Sequence, residues 1–199
     1  MGEKSQQKRK YIVEKARQVF VEKGYRSVTM KDIIDACEIS RGGLYLYFSS
    51  TQEIFLEVLT QDAEAGEDVF GKTLNEKSTP LDVLQVFLDA QKAELMGMDQ
   101  TLAMATYEYA FAHQLKGKEN FVKEKFRAAV RALEQLLSQC AKRGEVYCDD
   151  PAGMARQIMY TIEGMKVSML SMKPSEAEIE EQFTLIWANL GLILEEEPA

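Results

Sequence analysis

Two helix-capping residues, Thr29 and Ser40, constrain the local fold of this chain more tightly than anything else in it. Thr29 can cap a short helix whose third residue, Asp32, can bond back to the free N–H groups. Ile33 and Ile34 then fall on the inner side, and Ala36 is small enough for a close helix crossing. Ser40 opens a second short helix, with Leu44 and Phe48 inside and Arg41, Tyr45 and Tyr47 outside. Two short helices, a tight turn and a polar outer face on the second describe a helix-turn-helix. In that motif the second helix enters the major groove of DNA.

The stretch Ser40-Arg41-Gly42-Gly43-Leu44-Tyr45-Leu46-Tyr47-Phe48 resembles the Ser-Lys-Gly-Thr-Leu-Tyr-x-Tyr-Phe signature of the tetracycline-repressor (TetR) family. A preceding helix that ends in Phe20-Val21-Glu22-Lys23-Gly24-Tyr25, and a Glu-bearing apolar helix after Phe48, fit the same pattern. The likeness spans roughly residues 8 to 60. Two positions depart from it: Glu38 stands where the family often has Gly, and Thr51 where it often has Lys.

The resemblance implies an all-α fold of roughly nine helices. Residues 1–50 would form a DNA-binding head and residues 51–199 a ligand-sensing, dimerising body. It implies a ligand-responsive regulator, a repressor released from a roughly palindromic operator by a small apolar molecule. It also assigns the outer positions of the second short helix to double-stranded operator DNA. Arg41 suits a guanine edge, since its guanidinium can bond two acceptors at once. Gly42 and Gly43 allow close backbone approach to the groove. Tyr45 and Tyr47 match the family's aromatic contacts, Ser40 belongs to the same surface, and Thr29 and Lys31 would hold phosphate.

The net charge of −8 looks wrong for a DNA binder until it is divided. Residues 1–50 carry +4 and residues 51–199 carry −12. Attraction to phosphate follows the local field, so a basic head on an acidic body suits DNA and keeps the body off it. No apolar run approaches the ~20 residues of a membrane span, and the Lys- and Gln-rich start is not a secretory signal. The expectation is a cytoplasmic protein. Cys37, Cys140 and Cys148 do not form a disulfide framework. Cys37 reads as a buried small residue. Cys140 and Cys148 read as structural thiols, with a thiol switch between them as the alternative.

The remaining helices announce their ends. A first helix runs from about Gln6 to Lys23, with Ile12, Val13, Ala16, Val19 and Phe20 on one face and Gly24 as its stop. Ser50-Thr51-Gln52-Glu53 reads as a capping box for a fourth helix reaching about Phe70. Thr79-Pro80 opens a fifth, which Gly97 ends. A sixth covers about 100–115, a seventh about 119–142, and Asp150-Pro151 starts an eighth to about Met172. Ser175 and Glu178 cap a ninth, and Glu195-Glu196-Glu197 reads as a frayed acidic tail.

Within the body, eight of the ten methionines lie between Met96 and Met172. Methionine adapts to varied shapes, in a ligand cavity or an ordinary core. Tyr107, Phe111, His113, Tyr160 and Glu163 are the candidate pocket residues. The ninth helix carries a stripe of Phe183, Ile186, Trp187, Leu190 and Leu194, with Leu185 and Leu192 off it. Such breadth implies burial on more than one side. With the small Gly164 and Ser168 on the eighth, it points to a homodimer through the eighth and ninth helices. No phosphate loop, nucleophile elbow or His-carboxylate metal spacing occurs, so no catalytic residue, metal or cofactor is expected. The competing classes are a helical interaction protein with a degenerate head and a helical enzyme.

Overall fold

A computed structural model of the chain describes residues 3–73, 78–113, 115 and 120–191, with side chains described at all of these except 63–73. Every regular element among them is helical. The nine α-helices are α1 (Glu3–Lys23), α2 (Met30–Cys37), α3 (Arg41–Tyr45), α4 (Thr51–Thr73), α5 (Pro80–Met96), α6 (Ala103–His113), α7 (Phe121–Lys142), α8 (Pro151–Ser171) and α9 (Glu176–Asn189). A 3-10 turn, Met98–Gln100, precedes α6. The all-α architecture expected from the sequence is the one observed. Contacts divide the chain into two compact units. Unit 1 is Met1–Gly71 with Asp99–Leu115, and unit 2 is Lys72–Met98 with Lys116–Ala199.

Unit 1 grows from α1, whose apolar positions Ile12, Val13, Ala16, Val19 and Phe20 recur at helical spacing and are all buried. Gly24 ends the helix at φ 72°, a left-handed position that glycine takes without a Cβ penalty. The next ring, Tyr25, packs back on Phe20 at 6.2 Å between centroids. Thr29 then caps α2, accepting the Asp32 N–H, while Asp32 accepts the Thr29 N–H at 2.8 Å. Ile33 is buried, Ile34 only partly so. Glu38 ends α2 at φ 52° and ψ 44°. A residue with a Cβ pays about 1 kcal/mol for that left-handed conformation. Cys37 is buried, as expected of a small residue at this helix end.

Ser40 caps α3, and Leu44 and Phe48 bury their side chains. The cap of α4 differs in one arm from the expected box. Ser50 Oγ does accept the Glu53 N–H, but the Glu53 carboxylate turns to the N–H and hydroxyl of Ser49. Ile54, Phe55 and Val58 of α4 are buried. Helix α6 joins this unit through Tyr109, whose ring lies 4.9 Å from Tyr25 and 5.3 Å from Phe55.

In unit 2, α5, α7, α8 and α9 bury Leu84, Leu88, Leu133, Leu137, Ile158, Ile162, Phe183 and Trp187 together. Thr79 with Asp82 and Ser175 with Glu178 form complete capping boxes. Asp150 caps α8 ahead of Pro151, and Gly144 beyond α7 stands at φ 71°. Helix α9 stops at Asn189 because Gly191 turns left-handed at φ 75°, and Tyr147 N–H donates to the Leu190 carbonyl. The expected Leu192, Leu194 and acidic tail lie outside the described residues. Leu190 belongs to its own unit's core at 0% exposure, whereas Leu185, off the stripe, is 49% exposed. Cys140 is buried with its thiol pushed up to about 11, first by burial and then by Glu145. Cys148 is raised by burial as well, so both are held as poorly reactive thiols.

The cap of α2 supplies a pH test. Asp32 is held well below the usual carboxylate range, first by its bond to Lys23 and then by those to Thr29. A carboxylate with a depressed pKa stabilises the fold above its ordinary value of about 4, and that stabilisation is lost as pH falls through the folded value. Thr29→Ala should therefore cost about 1 kcal/mol at neutral pH. Wild type should melt above Asp32→Asn at neutral pH, and the gap should narrow below about pH 4. Thermal melts across that range check it; a gap that stays constant into strong acid removes the ionised cap from the account.

Candidate nucleic-acid interface

The outward side of α3 is built on a buried inner side. Leu44 and Phe48 are 0% and 1% exposed, so the other positions of this short helix must face out. Ser40 Oγ accepts the Gly43 N–H at 3.1 Å and keeps its own proton to donate. A Cβ built on Gly42 would meet nothing within 4 Å, so this backbone stands open to a close neighbour. Gly43 is tighter, since a Cβ there would lie 3.2 Å from Ser40 Oγ. Arg41 is exposed, with its guanidinium 5.6 Å from the Tyr45 ring centroid, one helical turn on. Tyr45 is exposed and Tyr47 half-buried.

At the start of α2, the Thr29 hydroxyl donates to Asp32 Oδ2 at 2.5 Å while accepting the Asp32 N–H. Its single proton is committed to the cap in this geometry. Lys31 is exposed on the same first turn of α2. Lys23 reaches Asp32 at 2.6 Å, which neutralises the carboxylate that sits at this helix start.

The family model described as bacterial regulatory proteins, tetR family, matches residues 12–58, which hold these caps and α3. A second model, the tetracyclin repressor-like C-terminal domain, matches residues 83–180. The chain belongs to the tetR family. A curated HTH-type transcriptional regulator of Bacillus subtilis (strain 168), YfiR, is 28% identical over 84% of this chain and 82% of its own length. Among solved structures, a TetR transcription regulator from Haloarcula marismortui superposes with a TM-score of 0.79 at 16% identity, over 96% of this chain and 100% of the other. AibR, solved in complex with isovaleryl coenzyme A and operator DNA, gives 0.65 at 18% identity over 91% and 97%. These structural likenesses speak for the fold.

As a tetR-family protein the chain is a DNA-binding regulator. No described helix is long and apolar enough to cross a membrane. No group of three or more His, Cys, Asp or Glu that could hold a metal occurs among the described residues.

The candidate pocket residues of this tetR-family chain divide between the units. Tyr107, Phe111 and His113 lie on α6 in unit 1, and Tyr160 and Glu163 lie on α8 in unit 2. Phe111 and Tyr160 are 74% and 66% exposed, and Tyr107 and Glu163 are half-buried. His113 is exposed, with its ring 4.1 Å from that of Tyr109 and Nδ1 3.0 Å from the Tyr109 carbonyl. Tyr160 pairs with Phe126 at 4.9 Å. A separate open groove of about 510 Å³ runs along α8 and α9, lined by Thr161, Gly164, Met165, Ser168, Met172 and Ile179 among others. None of the five candidates lines it.

Two residues, one on the outer side of α3 and one behind its end, escaped the sequence reading. Leu46, at the end of α3, is 82% exposed, and it follows Gly42 by one turn on the same side. Its position as the free residue inside the Tyr45–Tyr47 signature was the available signal. Arg9 of α1 reaches the carbonyl of Tyr47, a pairing across 38 residues that no local pattern announces.

Proposed function

We propose that the chain is a ligand-responsive repressor whose α3 lies in the major groove of a roughly palindromic operator. The observation that carries this is the outward side of α3, where Arg41, the open Gly42 backbone, Tyr45 and Leu46 stand on a helix whose other side is fully buried. Arg41 takes a guanine edge, and Leu46 takes a thymine methyl, the apolar feature of the major groove. Tyr45, Tyr47, Ser40 and Lys31 contact the backbone and fix the register. Gly43 keeps the helix start free of bulk. Thr29 acts there through the geometry of its cap rather than by donating to phosphate, since its proton goes to Asp32. Residues 1–50 carry this role and residues 51–199 carry sensing and assembly, a division by task rather than by packing.

The working unit is a homodimer joined through α8 and α9. In a single chain these helices leave Val167, Met172 and Leu185 exposed beside the groove that contains Gly164 and Ser168. A second copy covers such a face with two matching helices, giving a four-helix interface. Dimerisation then sets two copies of α3 about one DNA turn apart. The effector is a small apolar molecule. An exposed ring in each unit taken by itself, Phe111 in unit 1 and Tyr160 in unit 2, supports an apolar ligand. AibR, which is similar in fold, has been solved in complex with isovaleryl coenzyme A and operator DNA, and this supports a reading with both an effector and an operator.

Three kinds of measurement test this reading. In titrations of an operator selected from random DNA, Arg41→Ala should cost about 1–3 kcal/mol and relax one position per half-site. Replacing the thymine under Leu46 by deoxyuridine should weaken the wild type but leave Leu46→Ala unmoved. Unchanged affinity for Arg41→Ala, or deoxyuridine tolerance in the wild type at every position, removes the corresponding contact. In sedimentation, Leu185→Glu should give a folded monomer, whereas Leu190→Glu should unfold the chain, because it places an unpaired charge in the core. A monomeric wild type at micromolar concentration defeats the assembly. In thermal shifts with lipophilic compounds, an inducer should stabilise the protein less when operator is present, since the two ligands must weaken each other by one factor. Equal shifts with and without operator deny the switch, and binding by sugars or nucleotides alone denies the apolar effector.

A further inference from the structure

Arg9 lies on α1, directly behind the end of α3, and each of its three guanidinium nitrogens donates a hydrogen bond. Nε and Nη2 donate to the two carboxylate oxygens of Glu57 at 3.2 and 3.0 Å. Nη1 donates to the backbone carbonyl of Tyr47 at 2.7 Å. The guanidinium carbon stands 4.1 Å from the centre of the Phe48 ring, which is itself 1% exposed. Glu53, one turn before Glu57 on α4, lies 3.9 Å from Nη2 and also accepts the N–H and hydroxyl of Ser49. One side chain thus joins three elements: α1, the end of the DNA-facing helix and the first turns of α4.

An ion pair on a surface is worth little, on the order of 0–1 kcal/mol, and its presence alone implies no role. What sets Arg9 apart is the third bond. The carbonyl of Tyr47 lies two residues beyond a helix of only five residues, where no further helical turn holds the chain. A bond to that carbonyl fixes where the chain leaves α3, and therefore the direction of the Tyr45, Leu46 and Tyr47 side chains. The planar fork makes the geometry directional, because the two bonds to Glu57 leave Nη1 only one way to point. A lysine could neutralise Glu57 but could not hold the carbonyl at the same time.

We propose that Arg9 is a positioning residue for base reading: it holds the end of α3 in register with α4 through the Tyr47 carbonyl, without touching DNA. The proposal rests on the reading of α3 as the DNA-facing helix. It separates two properties that a plain structural role would move together. Loss of fold stability, or loss of one positive charge, weakens operator and random DNA in the same proportion. Loss of register weakens the operator alone, because random DNA is held through phosphates, which tolerate small displacements.

The test uses the full chain with the substitutions Arg9→Lys and Glu57→Gln, singly and together. Operator and random duplex affinities are measured at one salt concentration, with thermal melts on the same samples. Arg9→Lys should keep its binding to random DNA within about twofold and lose about tenfold or more on the operator, while remaining folded at the assay temperature. Glu57→Gln frees the fork from its anchor and should lower the same ratio. The double variant should lose little beyond Arg9→Lys, because both changes act through one contact. Equal losses on operator and random DNA, or an operator affinity like that of the wild type in Arg9→Lys, overturn the proposal. A wild type that shows no preference for any selected sequence overturns the DNA reading beneath it.

Discussion

A helix of five residues cannot hold itself. Forming the first turn of any helix is unfavourable in water, and a helix this short gains almost nothing by propagation. Helix α3 therefore depends on what lies beneath and beside it. Leu44 and Phe48 anchor it from below, Ser40 Oγ ties the Gly43 N–H of its first turn, and the Arg9 fork ties the Tyr47 carbonyl two residues beyond its end. Remove the burial and the outer residues have no fixed directions. This explains why the outer face can be almost free of internal bonds. Its order comes from the inner face, which leaves Arg41 and Leu46 available to an outside partner.

The same reasoning accounts for the strain at Glu38. A left-handed residue must end α2 if the chain is to turn sharply into Ser40, and glycine would do so without cost. Glu38 is exposed, with its backbone N–H held by the carbonyls of Ile34 and Asp35. The surrounding caps are strong enough to impose the turn on a residue that does not favour it. The penalty of about 1 kcal/mol is offset by burial of Ile33, Cys37 and Leu44 on either side of the turn.

Local chemistry was legible in the sequence, and pairing over distance was not. Thr29, Ser40, Thr79 and Ser175 could be read as caps because the groups they satisfy lie three residues away. Gly24 and Gly144 could be read as stops for the same reason. Arg9 with Glu57, and Glu108 with Arg26, join residues 48 and 82 positions apart. No periodicity reports such pairs. The stripe on α9 shows a second limit. Helical spacing gives the width of an apolar face but not what covers it, so Leu190 and Leu185 look alike until the core is seen to take the first and leave the second outside. The five candidate pocket residues were grouped by residue type, and type alone could not say that α6 packs with α1 while α8 packs with α7.

The placement of α6 has a consequence for how the head can be disturbed. Glu108 accepts the Arg26 N–H at 2.9 Å, and its carboxylate occupies the space a side chain at position 24 would need. Gly24 is favoured by its left-handed backbone, and a Cβ there would also push the Glu108 carboxylate from its place. At the next residue of α6, the Tyr109 hydroxyl accepts from Gln52 at the start of α4. One helix is therefore bonded both to the turn that precedes α2 and to the element that follows α3. The aromatic cluster of Tyr25, Phe55 and Tyr109 fills the space between, with centroids 4.9 to 5.3 Å apart. Close-packed contacts of this kind do not deform continuously. A displacement of α6 would have to break these bonds or carry both ends of the helix-turn-helix with it, and either outcome changes the support on which the outer side of α3 rests.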